Sequence, residues 1–567
     1  MQSLWSDKEA AQNQSVLDLR VYSSRLLGSD PALVLHGGGN TSVKARVANL
    51  FGDEEDILFV KGSGWDLATI QAEGFAPVRM DTLLKMAALE HLSDSDMVSN
   101  QRAAMIDPSA PNPSVEAILH AVIPYKFVDH THTDAVVTLT NTADGEALIR
   151  AVYGDRVLIV PYVMPGFELA RLIYRMTLDV DWDGIDGIVL MNHGLFTFAD
   201  DARTSYEKHI ELVTAAEAYL ERRGATLTLD SAAVEPELLV LARIRRAVSQ
   251  CRGQALIAHL NDSPVAVHFS TLDVPSLSNR GTLTPEHVIR TKRAPLFLTG
   301  AEFKGKEFTG AASGAALEEA GRDSGDLNAA VDRYAERYRD YFATHHSEGQ
   351  ICLNPAPGYA VWKDRGAISF GKSLKEAQVI RDINDHTFEA ILKAEQLGGY
   401  QALDEATLFE IEYWELEQAK LKKGGGSLGL SGKVVLVTDA QTPLGEAVTR
   451  QLQSQGASVV ACGSVADIET TVYTYGGLDI LVITKPGADP LLKAAQPYLQ
   501  EGIDPVLICI GCGLGSCSDA TPEGVRLVRL GKRAGPEGVA ALAGLLSGEL
   551  FSDLPAITAK SAVAEHA

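Results

Sequence analysis

The sequence predicts an α/β protein with a mixed-sheet domain first, a helix-rich segment next and a short parallel-sheet domain last. Three observations carry this. Short apolar runs alternate with stretches of helical periodicity up to residue 222. Helical spacing dominates from 223 to 423. Beyond a flexible Gly424-Gly425-Gly426-Ser427, continuous apolar runs such as VVLVT and LDILVIT alternate with helices, as in strands covered on both faces.

From the N-terminus, residues 15–27 are helical in period and stop near Gly28. Leu33-Val34-Leu35 reads as a strand entering His36-Gly37-Gly38-Gly39-Asn40-Thr41-Ser42-Val43. Glycines there let the backbone approach a ligand, and Asn40, Thr41 and Ser42 offer hydrogen-bonding side chains; a plain hairpin turn has the same composition. A strand over 57–60 then ends in Lys61-Gly62-Ser63-Gly64, where a cation and free N–H groups suit a phosphate.

The chemistry concentrates in NPSVEAILHAVIPYKFVDHTHTDAVVTL, residues 112–139. Asn112 as N-cap and Pro113 in the first turn predict a helix to Val122, with Glu116 and His120 on one face. A strand over 127–140 would put His130 and His132 on one side of a sheet. His193 adds an imidazole in the Asn192-His193-Gly194 turn. Neutral imidazoles beside a carboxylate suit a divalent transition metal, with Asp129 and Asp134 as partners for the ring N–H groups. Solvated strand histidines are the other reading that His130 and His132 alone leave open.

Residues 155–163 predict a strand broken by Pro161, and 166–176 a helix. Asp200 is expected to cap a long helix over 201–222, in which His209 is a surface or packing residue. Further helices are expected at 235–250, 315–342 and 373–397. TPEHVIRTKR, residues 284–293, reads as a capped basic helix, either a solvated face or a phosphate contact.

Composition excludes several function classes. A formal net charge of −24 opposes nucleic-acid and anionic-membrane partners. No apolar run approaches the roughly 20 residues that span a bilayer. MQSLWSDKEAAQN lacks a signal-peptide pattern, and six cysteines are too scattered for a disulfide framework, so a cytoplasmic location is expected.

GGGNTSVK, PSVEAILH, VDHTHTDAV and NHGLF, in this order, resemble the class II (zinc-dependent) aldolase/adducin family. The resemblance implies a class II aldolase-like α/β/α domain. It assigns zinc to His130, His132 and His193, acid/base catalysis to Glu116, and the substrate phosphate to Asn40, Ser42, Gly62, Ser63 and Ser114. Lys61 joins these by its place in the loop. Related epimerases carry aspartate in place of Glu116, and adducin-like members lose the ligands. Several sugar-phosphate aldolases have two serines before the glutamate, where this chain has Ser114-Val115. The family's ring tetramers imply a homo-oligomer in which a neighbouring subunit's tyrosine, with Tyr153 and Tyr162 as candidates, serves the leaving aldehyde.

GTLTPEHVIRTKR, NPAPGYAVW and LFEIEYWELEQAKL also resemble the middle of bifunctional rhamnulose-1-phosphate aldolase/alcohol dehydrogenases. The expected domains are therefore 1–222 (aldolase/adducin), 223–423 (mixed helical insert) and 424–567 (a truncated, degenerate Rossmann-like domain of short-chain dehydrogenase type). That last domain opens strand–helix–strand, but Thr438-Asp439-Ala440-Gln441-Thr442-Pro443-Leu444-Gly445 keeps only one cofactor glycine, and no Tyr-x-x-x-Lys follows residue 430. No NAD(P) is expected, although Gly511-Cys512-Gly513-Leu514-Gly515 offers a glycine-rich run for another nucleotide or phosphate. Cys509, Cys512 and Cys517 are either buried small residues or a metal or redox group. The expected function is a zinc-dependent aldolase that cleaves or forms a ketose 1-phosphate through a dihydroxyacetone phosphate enediolate. A decarboxylase or epimerase on the same metal, or a non-catalytic adducin-like assembly module, are the alternatives.

Overall fold

Seven strands make the sheet that carries the site. In the computed structural model, which describes residues 1–229, 234–303, 326–422, 428–484, 487–510 and 521–530, they are β1 (Asn40–Ala48), β2 (Glu54–Lys61), β3 (Phe75–Arg79), β4 (Phe127–Thr131), β5 (Val157–Val160), β6 (Gly187–Leu190) and β7 (Gly194–Ala199). Their order is β3-β2-β1-β4-β7-β6-β5, antiparallel except for the parallel pair β5–β6. Helices α1 (Val16–Gly28), α2 (Ala117–Val122), α3 (Asp134–Thr140), α4 (Phe167–Met176) and α5 (Ala202–Arg222) accompany it. Val128, Phe196 and Phe198 pack with residues of α2 and α4 in one core; Val189 and Leu195 pack with residues of α3 and α5 in another. All five residues of β4 are therefore buried.

Residues 1–228, 276–289 and 382–423 form one compact unit, and 229–275, 290–381 and 424–567 a second. The stretch 223–423 thus divides between the two. The second unit holds β8 (Ile257–Asn261), β9 (Leu296–Leu298), β10 (Tyr359–Trp362) and β11 (Gly366–Gly371) in a sheet ordered β8-β11-β10-β9. It also holds β12 (Val434–Thr438), β13 (Ser458–Cys462), β14 (Ile480–Ile483), β15 (Val506–Ile510) and β16 (Arg526–Leu530), all parallel and ordered β13-β12-β14-β15-β16. The first strand lying between the second and third is the doubly wound order 2-1-3-4-5. Its helices include α6 (Leu238–Arg252), α7 (Leu327–His345) and the start of α8 (Leu374–Glu395), whose residues from Asp382 onward belong to the first unit. Helix α9 (Pro443–Ser454) crosses from β12 to β13. No helix among the described residues is long and apolar enough to cross a membrane.

Four local expectations change. Residues 33–35 are not a strand: β1 begins only at Asn40, after a loop with positive φ at His36, Gly37 and Gly39. A Cβ on Gly39 would lie 2.6 Å from the His130 carbonyl oxygen, so the loop abuts β4 only because the residue is glycine. Asn112 and Pro113 do not open the helix, since Pro113 bridges to Gly62 and the Ser114 N–H donates to the Lys61 carbonyl at 3.0 Å. These backbone groups are already committed, and α2 starts at Ala117 with Glu116 as its N-cap residue. The expected strand 127–140 ends at Thr131 and becomes α3, whose residues Ala135 to Thr140 are all buried. Burial on every side erases the periodicity that tells a buried helix from a buried strand. Asp201, one residue beyond the expected Asp200, caps α5 by accepting from the Thr204 N–H at 2.8 Å. The Gly424–Ser427 linker, the Gly511–Gly515 run with Cys512, Cys517, and residues 315–325 of the expected helix lie outside the described residues; Cys509 is buried in β15.

Candidate metal centre

Strand register brings the histidines together. In β4, Asn40 stands opposite His130 on one side and Phe196 on the other, and the Phe196 ring stacks on His130 with centroids 4.0 Å apart. His132 follows the strand's end. His193 comes from the turn between β6 and β7, where Asn192 takes a φ of +56° and its amide donates to Asn141 Oδ1 at 3.1 Å. Gly194 is needed after it, because a Cβ there would meet the Thr131 carbonyl oxygen at 2.3 Å. One nitrogen from each of His130, His132 and His193 lies within 4.8 Å of the others.

The hydrogen bonds fix which nitrogen faces inward. His130 Nδ1 lies 3.1 Å from the Leu195 carbonyl, which can only accept, so Nδ1 carries the proton. His132 Nδ1 likewise donates to Glu286 Oε1 at 2.7 Å. Both Nε2 atoms then present lone pairs to each other across 3.1 Å. Burial, with His132 and His193 nearby, drives the His130 pKa well below its ordinary value. A divalent cation would make use of both lone pairs, since imidazole nitrogens at about 2.0–2.1 Å from tetrahedral zinc stand about 3.3 Å apart.

Glu116 completes the group. Its Oε2 lies 3.6 Å from His130 Nε2 and its Oε1 3.6 Å from His193 Nε2. Oε2 accepts from the Asn40 amide at 2.5 Å, whereas Oε1 is buried with no hydrogen-bond partner among the described residues. A buried, unsatisfied carboxylate oxygen beside three imidazoles fits a metal and a substrate proton. His120 stands behind it. Its Nε2 donates to Asn40 Oδ1 and its Nδ1 accepts from Ser42 Oγ at 2.8 Å. Burial, aided by Lys44 and Arg20, holds His120 neutral. A relay of side chains thus runs from Ser42 through His120 and Asn40 to Glu116.

The residues expected at the phosphate divide into two groups. Backbone pairing of 61–63 with 112–114 brings Lys61, Gly62, Ser63 and Ser114 together: the Ser63 N–H donates to the Asn112 carbonyl at 2.8 Å, and Lys61 Nζ donates to the Gly37 carbonyl of the glycine-rich loop at 3.0 Å. Ser114 Oγ accepts from the Glu116 N–H at 3.3 Å. Asn40 and Ser42 instead turn their side chains to Glu116 and His120.

Asp129 and Asp134 do not partner the metal-centre rings. Asp129 neighbours His130 on a strand, so it points to the opposite face. There it meets buried Arg20 at 2.5 Å. Asp134 pairs with His386 at 2.5 Å. Tyr153 is a core residue donating to the Leu212 carbonyl at 2.8 Å, which removes it as a residue reaching another subunit. The Tyr162 hydroxyl is buried without a hydrogen-bond partner among the described residues, and burial, with Glu286, Glu410 and Asp404 nearby, raises its pKa. His209 is the packing residue of the two expected options, held between Thr131 and Thr197.

Glu286 is the residue that sequence reasoning missed. TPEHVIRTKR is not a basic helix but a single 3-10 turn, Pro285–His287, followed by the one-turn helix Val288–Thr291. Burial pushes the Glu286 carboxyl up, yet the facing imidazoles of His132, His287 and His193 outweigh it and hold it well below the ordinary value. The one signal available was an acid beside a histidine, after Thr-Pro.

Residues 20–220 match the family model described as Class II Aldolase and Adducin N-terminal domain, and residues 235–421 that described as Aldolase class II, second domain. The uncharacterized oxidoreductase YuxG of Bacillus subtilis (strain 168) is 29% identical over 475 residues. That match covers 82% of this chain and 66% of YuxG, just under two thirds of the relative's length. Among solved structures, the N-terminal class II aldolase domain of a conserved protein from Thermoplasma acidophilum shares 43% identity. It covers 39% of this chain and 99% of its own, with a TM-score of 0.36. A sugar-phosphate aldolase from Thermotoga maritima is 15% identical, over 37% of this chain and 94% of its own, with a TM-score of 0.27.

Proposed function

This chain belongs to the class II aldolase/adducin family, and on that premise we propose that it is a zinc-dependent aldolase cleaving or forming a ketose 1-phosphate, with dihydroxyacetone phosphate as one product. His130, His132 and His193 would hold the ion, and three imidazoles are a donor set suited to zinc. When bound, such an ion supplies Lewis-acid polarisation of a carbonyl and its neighbouring hydroxyl.

The observation that carries the reading is Glu116. Its Oε2 is tied to Asn40 while its Oε1 is buried with no hydrogen-bond partner among the described residues. Oε1 is therefore the atom free to move a proton at the nucleophilic carbon, and the Ser42–His120–Asn40 relay holds the carboxylate still while it does so. Lys61, Ser63 and Ser114 would hold the phosphate: Lys61 brings the charge and the two serines bring hydroxyl donors. No NAD(P) role is proposed for the parallel sheet. At the start of α9 the Gly445 N–H already donates to Thr442 Oγ at 3.1 Å, and Pro443 has no N–H to offer a pyrophosphate.

The test is to incubate the metal-loaded protein with a panel of ketose 1-phosphates and follow dihydroxyacetone phosphate. Glu116→Gln should keep the metal and lose about 10²-fold or more in turnover, while alanine at His130, His132 or His193 should weaken metal binding sharply. Full activity of Glu116→Gln would falsify the acid/base assignment. Carbon dioxide or an epimer as the sole product would replace the aldolase by a decarboxylase or epimerase.

A further inference from the structure

We infer that Glu286 is a positioning residue of the metal centre, so that the histidine cluster of the first matched family domain is completed by a carboxylate from the second. The inference rests on the metal reading above and deepens it. Glu286 lies within residues 235–421, the span of the second family domain, 154 residues from the histidine it contacts. The segment 276–289 that carries it nevertheless belongs to the same compact unit as the histidines.

Its geometry is specific. Oε1 accepts from His132 Nδ1 at 2.7 Å and from Thr284 Oγ1 at 2.9 Å, so a hydroxyl aims the carboxylate that aims the ring. His132 is thereby fixed in the tautomer with Nε2 directed at His130 Nε2. A carboxylate on the outer N–H of a ligating imidazole also raises that ligand's basicity.

The segment is anchored on the histidine side as well. Asn141 donates to the Leu283 carbonyl at 3.0 Å and accepts, through Oδ1, from Asn192, the residue before His193. One asparagine thus ties the turn that carries His193 to the loop that carries Glu286. Tyr400 adds a second anchor, its hydroxyl donating to the Gly281 carbonyl at 3.3 Å. On this view the part of the second family domain that folds with the first unit sets the affinity of the metal centre.

The experiment measures zinc affinity by chelator competition on the full-length chain, with the melting temperature of the metal-free protein alongside. Wild type is compared with Glu286→Ala, Glu286→Gln, His132→Ala and the double variant His132→Ala/Glu286→Ala. Glu286→Ala should weaken zinc binding by about 10–100-fold, and Glu286→Gln by less, because an amide oxygen still accepts but carries no charge. In the His132→Ala background the Glu286 substitution should change nothing further. The inference is overturned if both Glu286 variants bind zinc as tightly as wild type, or if the loss is the same with and without His132. Should Glu286→Ala fail to fold, Glu286→Gln decides alone, unchanged affinity overturning the inference. A wild type that takes up no zinc would overturn the metal reading itself, a result distinct from a defect confined to the variants.

Discussion

At the scale of single residues, buried imidazoles are defined by what their two nitrogens touch. His209 illustrates this away from the metal centre. Thr197 Oγ1 donates to the Ser205 carbonyl and so accepts from His209 Nδ1, which leaves His209 Nε2 to accept from Thr131 Oγ1 at 2.7 Å. Burial, with Arg20 nearby, lowers its pKa to about 4 although Asp129 acts the other way. The unfolded chain protonates this ring near 6.5, whereas the folded one resists until about 4. Stability is therefore intact above about 6.5 and falls as the pH drops towards 4, by about 3 kcal/mol for this one ring. Urea titrations of the metal-free chain at several pH values between 7 and 4.5 should show a shallower decline for His209→Gln than for wild type. Parallel declines would mean that His209 does not contribute. Residue chemistry was partly legible in the sequence. Three imidazoles and Glu116 could be grouped because spacing and glycine turns mark them. Asp129 was misplaced through strand alternation, and Glu286 was invisible because nothing local announces a contact 154 residues away.

At the scale of elements, the two loops beside β1 and β2 decide what the site can hold. His36 pairs with Asp382 at 2.9 Å, and Lys61 crosses to the Gly37 carbonyl, so the glycine-rich loop is fixed at both sides. Ser114 enters the same place by backbone pairing of residues 112–114 with 61–63, not by capping a helix. The sequence showed the glycines and the cation but not this pairing, since Asn-Pro-Ser reads equally as a helix start. If the loops bind phosphate, Lys61→Ala and Ser114→Ala should raise KM for a phosphorylated ketose tenfold or more, a charge-assisted hydrogen bond contributing about 1.5–3 kcal/mol. The unphosphorylated ketose should be affected far less. Equal increases for both substrates would assign these residues to the loop's architecture alone.

At the scale of the whole chain, the parallel sheet was legible and its dependence on distant residues was not. Runs such as VVLVT are apolar without alternation because both faces are covered, and they appear as β12 to β15. Hidden from sequence was the partnership of Asp479, the residue before β14, with α6, which lies more than two hundred residues earlier. Arg245 of α6, fully buried, donates to both carboxylate oxygens of Asp479, at 3.0 and 2.5 Å, and to the carbonyls of Leu256 and Gly432. Asp479 also accepts from the Val434 and Ile503 N–H groups, both at 2.7 Å. Burial would raise its pKa, but Arg245 outweighs burial and keeps it ionised. Such a pair adds little against an apolar substitute, yet removing one partner strands a charge in the interior at a cost of about 3–5 kcal/mol. The Rossmann-like segment neutralises an arginine of the preceding segment and packs closely on Ala255, whose carbonyl oxygen would lie 2.0 Å from a Cβ added at Gly432. Asp479→Ala should therefore lower hydrogen-exchange protection in β12 and β14 and equally in α6, while Arg245→Met/Asp479→Leu should lower it less than either single change. Loss confined to β14, with α6 as protected as in wild type, would show that the two elements do not fold as one.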